Sequence, residues 1–227
     1  VASQYERELR QVLAGVPKGV EAVIRSCTEE EKKKMRLVAS RPFLVVRAAG
    51  SGMEGTGDLL ALRGDICFPI EVKTTKARKL YLSGRTMDQY LAMINEGQRC
   101  NLMPLYAHRL KGVRGDSWMI FRVETDNLNG RLRQLAKSIP PFPRNRNGTP
   151  YLNWEEGLPL HKFIALVCSN AAQQSQTLHS LEVRAIRNEI IAPQFNFCDI
   201  IEEQTSPTGK IRGQTDVLAE LARRRSR

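Results

Sequence analysis

The segment GDLLALRGDICFPIEVK, residues 57–73, constrains this chain more than any other part of it. Two short runs rich in Leu, Ile, Phe and Val flank Gly64-Asp65, a dipeptide that favours a two-residue turn between antiparallel strands. Folded as a hairpin, the segment brings Asp58, near the start of one strand, toward Glu71 and Lys73 on the next. Side chains alternate along a strand, so Glu71 and Lys73, two apart, share a face. RPFLVVRA, from Arg41, supplies a third strand ahead of the pair.

Two carboxylates on neighbouring strands repel each other unless a divalent cation neutralises them, and hard oxygen donors suit Mg²⁺. The carbonyl of Val72 lies between the two residues and is a candidate for a further oxygen ligand. Such a site supports phosphodiester hydrolysis without a covalent intermediate, with Lys73 holding or deprotonating the attacking water. An E-x-K triplet also occurs on many exposed strands, so these residues alone leave open both an ordinary surface strand and a metal centre. RAAGSG, just before the hairpin, is a small-residue loop suited to approach a phosphate backbone, with Arg47 entering it and Ser51 exposed.

Charge narrows the choice of partner. Lys and Arg number 35 against 24 Asp and Glu, a formal charge of +11 that favours nucleic acid or an anionic membrane surface. No run approaches the ~20 apolar residues of a membrane-crossing helix, and Val1 to Arg10 is not an apolar signal core, so an intracellular protein with no membrane partner is expected. Lys76, Arg78, Lys79 and Arg85 flank the acidic pair as candidate phosphate contacts, with a solvated surface as the alternative. The five cysteines form no C-x-x-C pair and the three histidines fall in no ligand spacing, so reduced thiols and no zinc site are expected.

At 227 residues and 41% hydrophobic, the chain has enough apolar side chains for a sizeable core. SQYERELRQVLA predicts an amphipathic helix closed by Gly15 and Pro17, and Thr28 caps a second helix carrying Glu29 to Lys34. LYLSG is a further strand or edge. TMDQYLAMINEG predicts a helix with Met87, Leu91 and Ile94 facing inward, ending at Gly97. NLMPLYAHRL and SWMIFRV read as strands, with His108 an ordinary strand residue and Trp118 in the core. Between 127 and 153 the Pro, Asn, Gly and Arg content suggests a long surface connection, with a boundary near 140. Beyond it HKFIALVC, holding His161, and FNFCDII read as strands around a helix at about 176–191, and DVLAELARRRSR as a short terminal helix.

In order and spacing, YEREL, FLVVRAAGSG, GDLLAL, PIEVKTTKARKLYLSGRTM and WMIFRV resemble the archaeal Holliday junction resolvases of the PD-(D/E)xK nuclease superfamily, over roughly residues 1–14 and 41–123. The resemblance implies an α/β fold, a restriction-endonuclease-like mixed central β-sheet flanked by helices, here with an extra C-terminal α/β region. It implies a nuclease core over 1–139, interrupted by an insertion at about 15–40, and an extension over 140–227. It further implies a homodimer that resolves four-way junctions in branched double-stranded DNA by paired symmetric nicks. Mg²⁺ is the implied cofactor, with Mn²⁺ substituting and no organic cofactor, and the implied location is cytoplasmic and nucleoid-associated.

By position, Asp58 and Glu71 look like the family's metal ligands and Lys73 like its catalytic lysine, with Arg47 and Ser51 positioning phosphate. Glu6 matches a family glutamate that completes the acidic site, and Arg7 beside it a DNA contact. A gapless count back from Arg47 reaches Glu31 instead, so Glu31 is the alternative to Glu6. The family often carries a glutamine shortly after the tyrosine strand, where this chain has Met87, read as core, and Gln89 two residues later. Two other readings stay open: a restriction- or repair-type endonuclease of the same fold, and a non-catalytic DNA-binding scaffold.

Overall fold

Alternation of apolar side chains builds the central sheet. The computed structural model describes residues 4–48 and 57–168, all within one unit spanning residues 1–177. In chain order the elements are α1 (Gln4–Leu13), α2 (Pro17–Ile24), α3 (Glu29–Ser40), β1 (Leu44–Arg47), β2 (Leu59–Arg63), β3 (Ile66–Thr75) and β4 (Lys79–Tyr81). There follow α4 (Arg85–Cys100), β5 (Leu105–Leu110), β6 (Trp118–Arg122), α5 (Gly130–Ala136), β7 (Tyr151–Asn153) and β8 (Leu158–Pro159). The last helix among the described residues, α6, occupies 160–168.

Six strands form one sheet in the order β1-β2-β3-β5-β6-β8. β3 and β5 are parallel, joined through β4 and α4, while every other neighbouring pair is antiparallel, so the sheet is mixed. Arg63 pairs with Ile66 across the Gly64-Asp65 turn, which makes the expected hairpin. β4 and β7 form a separate two-stranded ribbon on which Tyr81 and Tyr151 stack at 5.4 Å.

Each face of the sheet has its own apolar cluster. On one, Leu59, Ala61, Phe68, Ile70, Leu105, Trp118 and Ile120 meet Leu9, Val12 and Leu13 of α1, Ile24 of α2 and Met35 and Val38 of α3. On the other, Tyr106, Met119 and Phe121 meet Tyr90 and Met93 of α4, together with Phe142 and Leu152. Each fully buried large side chain contributes about 1.5–3 kcal/mol, so the two clusters dominate cohesion. α3 starts as expected: the Thr28 side chain accepts from Glu31 N–H and the Glu31 carboxylate accepts from Thr28 N–H, a reciprocal capping box.

Several elements depart from the sequence expectations. Pro17 begins a helix rather than ending the region, because its missing N–H costs nothing in a first helical turn. The 127–153 connection contains α5 and β7, with Arg131 and Leu135 buried on α5. HKFIALVC is helical: Leu160, Phe163, Ile164 and Val167, at helical spacing, are all buried, and the Asp116 carboxylate accepts the backbone N–H of His161 at 2.8 Å. His161 is therefore a helix residue, its ring Nδ1 2.9 Å from Asp116. Phe142 and Leu152 lie in one cluster and α6 in the other, so the described part of the extension is continuous with both cores. The elements expected at 176–191, at FNFCDII and in the arginine-ended tail lie outside the described residues.

α4 runs past Gly97 to Cys100, where Asn101 in the left-handed conformation ends it, and Met87 and Ile94 pack partly buried against the α4-side cluster as expected. Tyr90, Met93 and Gly97 face inward, whereas Leu91 is 49% exposed. A Cβ on Gly97 would sit 2.6 Å from Thr125 Cγ2 and 2.8 Å from Pro104, so the helix approaches the β5 entrance as only glycine allows. That contact sets which way α4 turns its other side chains.

Candidate active site

Alternation on β3 places Ile70 and Val72 toward the α1 side, and Glu71 and Lys73 toward the α4 side. Asp58 stands at the entrance to β2 directly beside them. Its backbone N–H donates to the Ile70 carbonyl at 2.8 Å, and its Oδ2 accepts the Val72 N–H at 2.8 Å. Gly57 makes this approach feasible: its φ is +70°, and a Cβ there would lie 2.6 Å from the Ile70 carbonyl oxygen. The Gly-Asp pair is thus a geometric requirement of the hairpin edge.

Glu71 is only 5% exposed. Lys73 Nζ donates to Glu71 Oε1 at 2.7 Å and to Gln89 Oε1 of α4 at 2.8 Å, which fixes the ammonium between the sheet and the helix. Burial pushes the Glu71 carboxyl above its ordinary range; Lys73 opposes that shift, while the charges of Asp58 and Glu6 add to it. Asp58 is raised as well, first by burial, against the Val72 N–H bond, and then by the charge of Glu6. Two desolvated carboxylates, both raised further by the charge of Glu6, are an incomplete charge arrangement, and a cation completes it.

Glu6, on α1, lies 3.6 Å from Arg47 at the end of β1, and its charge reaches both site carboxylates. Glu31 is held in the α3 capping box. Glu6 therefore faces Arg47 within electrostatic reach of the acidic pair, while Glu31 is engaged in its own helix cap. α1 is anchored beside the sheet by Glu8, whose Oε1 accepts from Arg109 Nε at 2.8 Å and from Trp118 Nε1 at 2.9 Å. Arg109 also lies over the Tyr5 ring, 4.6 Å from its centroid.

The oxygens present suit a hard divalent ion: Asp58, Glu71, the Val72 carbonyl and, alongside, Glu6. Among the described residues no three His, Cys, Asp or Glu side chains converge closely enough to hold a metal by themselves. Main-chain oxygen, water and substrate phosphate would complete such a shell, as is usual for Mg²⁺.

The family model for archaeal Holliday junction resolvases (Hjc) matches residues 25–139. This chain belongs to the archaeal Holliday junction resolvase family. Resolvases of this kind are nucleases that bind branched DNA, and the family generally uses divalent metal ions. No curated protein matches the sequence. A similar solved structure is that of Hjc, a Holliday junction resolvase from the archaeal hyperthermophile Archaeoglobus fulgidus. It is 20% identical, with a TM-score of 0.39, and the match covers 59% of this chain and 96% of that one. The resolvase match begins at residue 25, so it takes in Glu31 and leaves Glu6 outside, whereas the geometry places Glu6 at the site.

Around the resolvase site the cations are unevenly distributed. Arg7, Arg10 and Arg47 line a cavity of about 150 Å³ with Glu6 and Leu59. Lys76 is exposed in the turn after β3, Lys79 is exposed on β4, and Arg85 is exposed at the start of α4. Arg78 forms an ion pair with Glu155. Ser51 lies outside the described residues.

The residue order alone leaves open what Gln89 does and gives no sign that Arg10 lines the same cavity as Arg7 and Arg47. The α4 periodicity around Met87 contained the signal for Gln89, but only the docking of α4 on the sheet brings its amide to Lys73. Met87 packs partly buried against the α4-side cluster. His108, in register with Lys73, has its Nε2 2.8 Å from Thr75 Oγ1, and burial lowers its pKa to about 4, so the ring is neutral at pH 7.

Proposed function

We propose that this chain is a Mg²⁺-dependent endonuclease that resolves four-way DNA junctions by paired symmetric nicks, working as a homodimer in the cytoplasm at the nucleoid. Mn²⁺ substitutes for Mg²⁺ in this reading. The observation that carries it is the β2–β3 edge, where Asp58 is clamped to the Val72 N–H beside the part-buried Glu71–Lys73 pair. Family membership supplies the substrate class.

In this reading Asp58, Glu71 and the Val72 carbonyl hold the ion, and Glu6 completes the acidic shell. When bound, a divalent ion supplies Lewis-acid stabilisation of charge on the phosphoryl group. Lys73, held by Glu71 and Gln89, positions or deprotonates the attacking water and offsets charge as phosphorus is attacked. Arg7, Arg47 and Ser51 orient the phosphate beside the scissile bond, while Lys76, Arg78, Lys79 and Arg85 hold the flanking backbone. A symmetric dimer presents two such sites to a symmetric junction. Specificity then rests on branch geometry, since phosphate contacts carry no base sequence.

The test is cleavage of a labelled immobile four-way junction beside linear duplex, in Mg²⁺ and in EDTA, with Glu71→Ala as control. Symmetric, metal-dependent nicks on the junction alone, lost in Glu71→Ala, are expected. Equal cutting of linear duplex would replace this reading with a restriction- or repair-type nuclease, and binding without cutting with a scaffold.

A further inference from the structure

On the face of the sheet opposite the catalytic pair lies a second concentration of positive charge. A cavity of about 620 Å³ opens where the end of β6 meets α5, lined by Arg122, Thr125, Asn127, Asn129, Arg133 and Lys137. Among the described residues no carboxylate lines it, and the apolar lining is confined to Leu128 and Ala136. The acids nearest in sequence are engaged elsewhere: Glu124 pairs with Arg144 at 2.9 Å, and Asp126 accepts from Gln98 at 3.2 Å. Arg133 and Lys137, one turn apart on the exposed side of α5, have no ion-pair partner among the described residues. Arg122 Nε donates to the Ile139 carbonyl at 3.1 Å, which tethers its guanidinium at the rim.

The backbone reinforces this arrangement. Asn127 and Gly130 both adopt positive φ, 62° and 50°, so the loop turns sharply before α5 and carries the Asn127 and Asn129 amides to the cavity rim. Three cations beside neutral amides repel one another, and a polyanion relieves that repulsion. The polar lining does not suit an apolar ligand, and the openness of the rim suits an extended chain of phosphates.

Register sets this cavity apart from the reaction centre. Ile70, Leu105 and Arg122 are neighbours across β3, β5 and β6, so Arg122 stands two strand spacings, roughly 10 Å, from the residue before Glu71. Side chains in register share a face, which puts Arg122 on the α1 side and Glu71 on the α4 side. A phosphate held here belongs to a different stretch of backbone from the one being cut.

We infer that the Arg122–Arg133–Lys137 cavity is a second nucleic-acid contact, gripping the phosphate backbone of a substrate arm remote from the scissile strand. This rests on the reading of the chain as a nuclease that binds branched DNA. The contact anchors the arm without reading sequence and leaves the chemical step untouched.

The experiment measures affinity against salt concentration for junctions with long arms and with arms truncated close to the branch, using the full chain and its R133Q/K137Q variant. Each lost phosphate contact lowers the log–log salt slope by about one, so the variant is expected to lose nearly two units on long arms and none on truncated ones. R133K/K137R is expected to keep the wild-type slope, and single-turnover cleavage at saturating enzyme to be unchanged in both variants. Unchanged slope and affinity in R133Q/K137Q would overturn the inference, as would an equal loss on both arm lengths, which marks a diffuse field rather than an arm contact. Binding of millimolar inorganic phosphate by wild type but not by R133Q/K137Q, together with an unchanged long-arm slope in that variant, would instead assign the cavity to free phosphate. If the wild-type chain bound no branched DNA at all, the proposed function itself would fail, a result distinct from a variant that binds normally.

Discussion

The two faces of β3 use the same run of residues for opposite purposes. Toward α1, Ile70 and the partly buried Val72 join a continuous apolar cluster that needs no further partner. Toward α4, the buried Glu71 and the partly buried Lys73 lie beside Tyr106 and His108, with a carboxylate that the fold desolvates without fully compensating. A strand can serve both because successive side chains point to opposite faces. The difference teaches that stability and reactivity here are separated by alternation along one strand rather than by distance.

The sharpest test of that separation is Glu71→Ala. Its cleavage rate is expected to fall more than about 10³-fold, since a ligand and the partner of Lys73 go together. Its metal-free melting temperature should match or exceed wild type, because a desolvated carboxylate is removed; a large drop in melting temperature would break the comparison. On the opposite face, Phe68→Ala removes a fully buried ring and is expected to lose about 3–5 kcal/mol in urea unfolding. If Phe68→Ala stayed folded with unchanged stability, the α1-side cluster would not be the principal source of cohesion.

Gln89→Ala sharpens the comparison more finely. Losing the amide that orients Lys73 is expected to slow cleavage by about 10–100-fold, with junction affinity unchanged in a binding titration. The smallest expected effect is on pH dependence. Asp58 and Glu71 bind protons more tightly folded than unfolded, so their contribution to stability is full below the ordinary carboxylate range, about pH 4, and is lost as pH rises through their raised values. Metal-free wild type should therefore weaken from pH 4 to 7 relative to Asp58→Asn/Glu71→Gln in urea midpoints. Mg²⁺ should narrow the gap at pH 7, and a gap independent of pH would show that the carboxylates are not destabilised as described.

Much of the site was legible because its signals are local. The Gly64-Asp65 turn gives the β2–β3 pairing, and a two-residue spacing puts Glu71 and Lys73 on one face. Thr28 and Glu31 form the helix cap that their spacing predicts. Other readings failed where local pattern is ambiguous. HKFIALVC is a short apolar run that suits a strand or a buried helix, and its helical spacing is decided by packing on Phe43 and Phe68, with Phe163 5.7 Å from Phe68. α5 was hidden by a Pro-, Asn- and Gly-rich surrounding whose composition says little about a seven-residue helix.

By itself, the sequence determined the hairpin, the face shared by Glu71 and Lys73, the net positive charge and the family, because each rests on residue order and short-range geometry. Only the tertiary structure set Glu6 beside Arg47 while tying Glu31 into the α3 cap, turned Gln89 onto Lys73, and gathered Arg122, Arg133 and Lys137 around one cavity. Those outcomes depend on where whole helices dock. The Glu8–Arg109–Trp118 anchor of α1 and the Gly97 contact of α4 are long-range packing events, and no local spacing encodes the distance between elements that the chain separates.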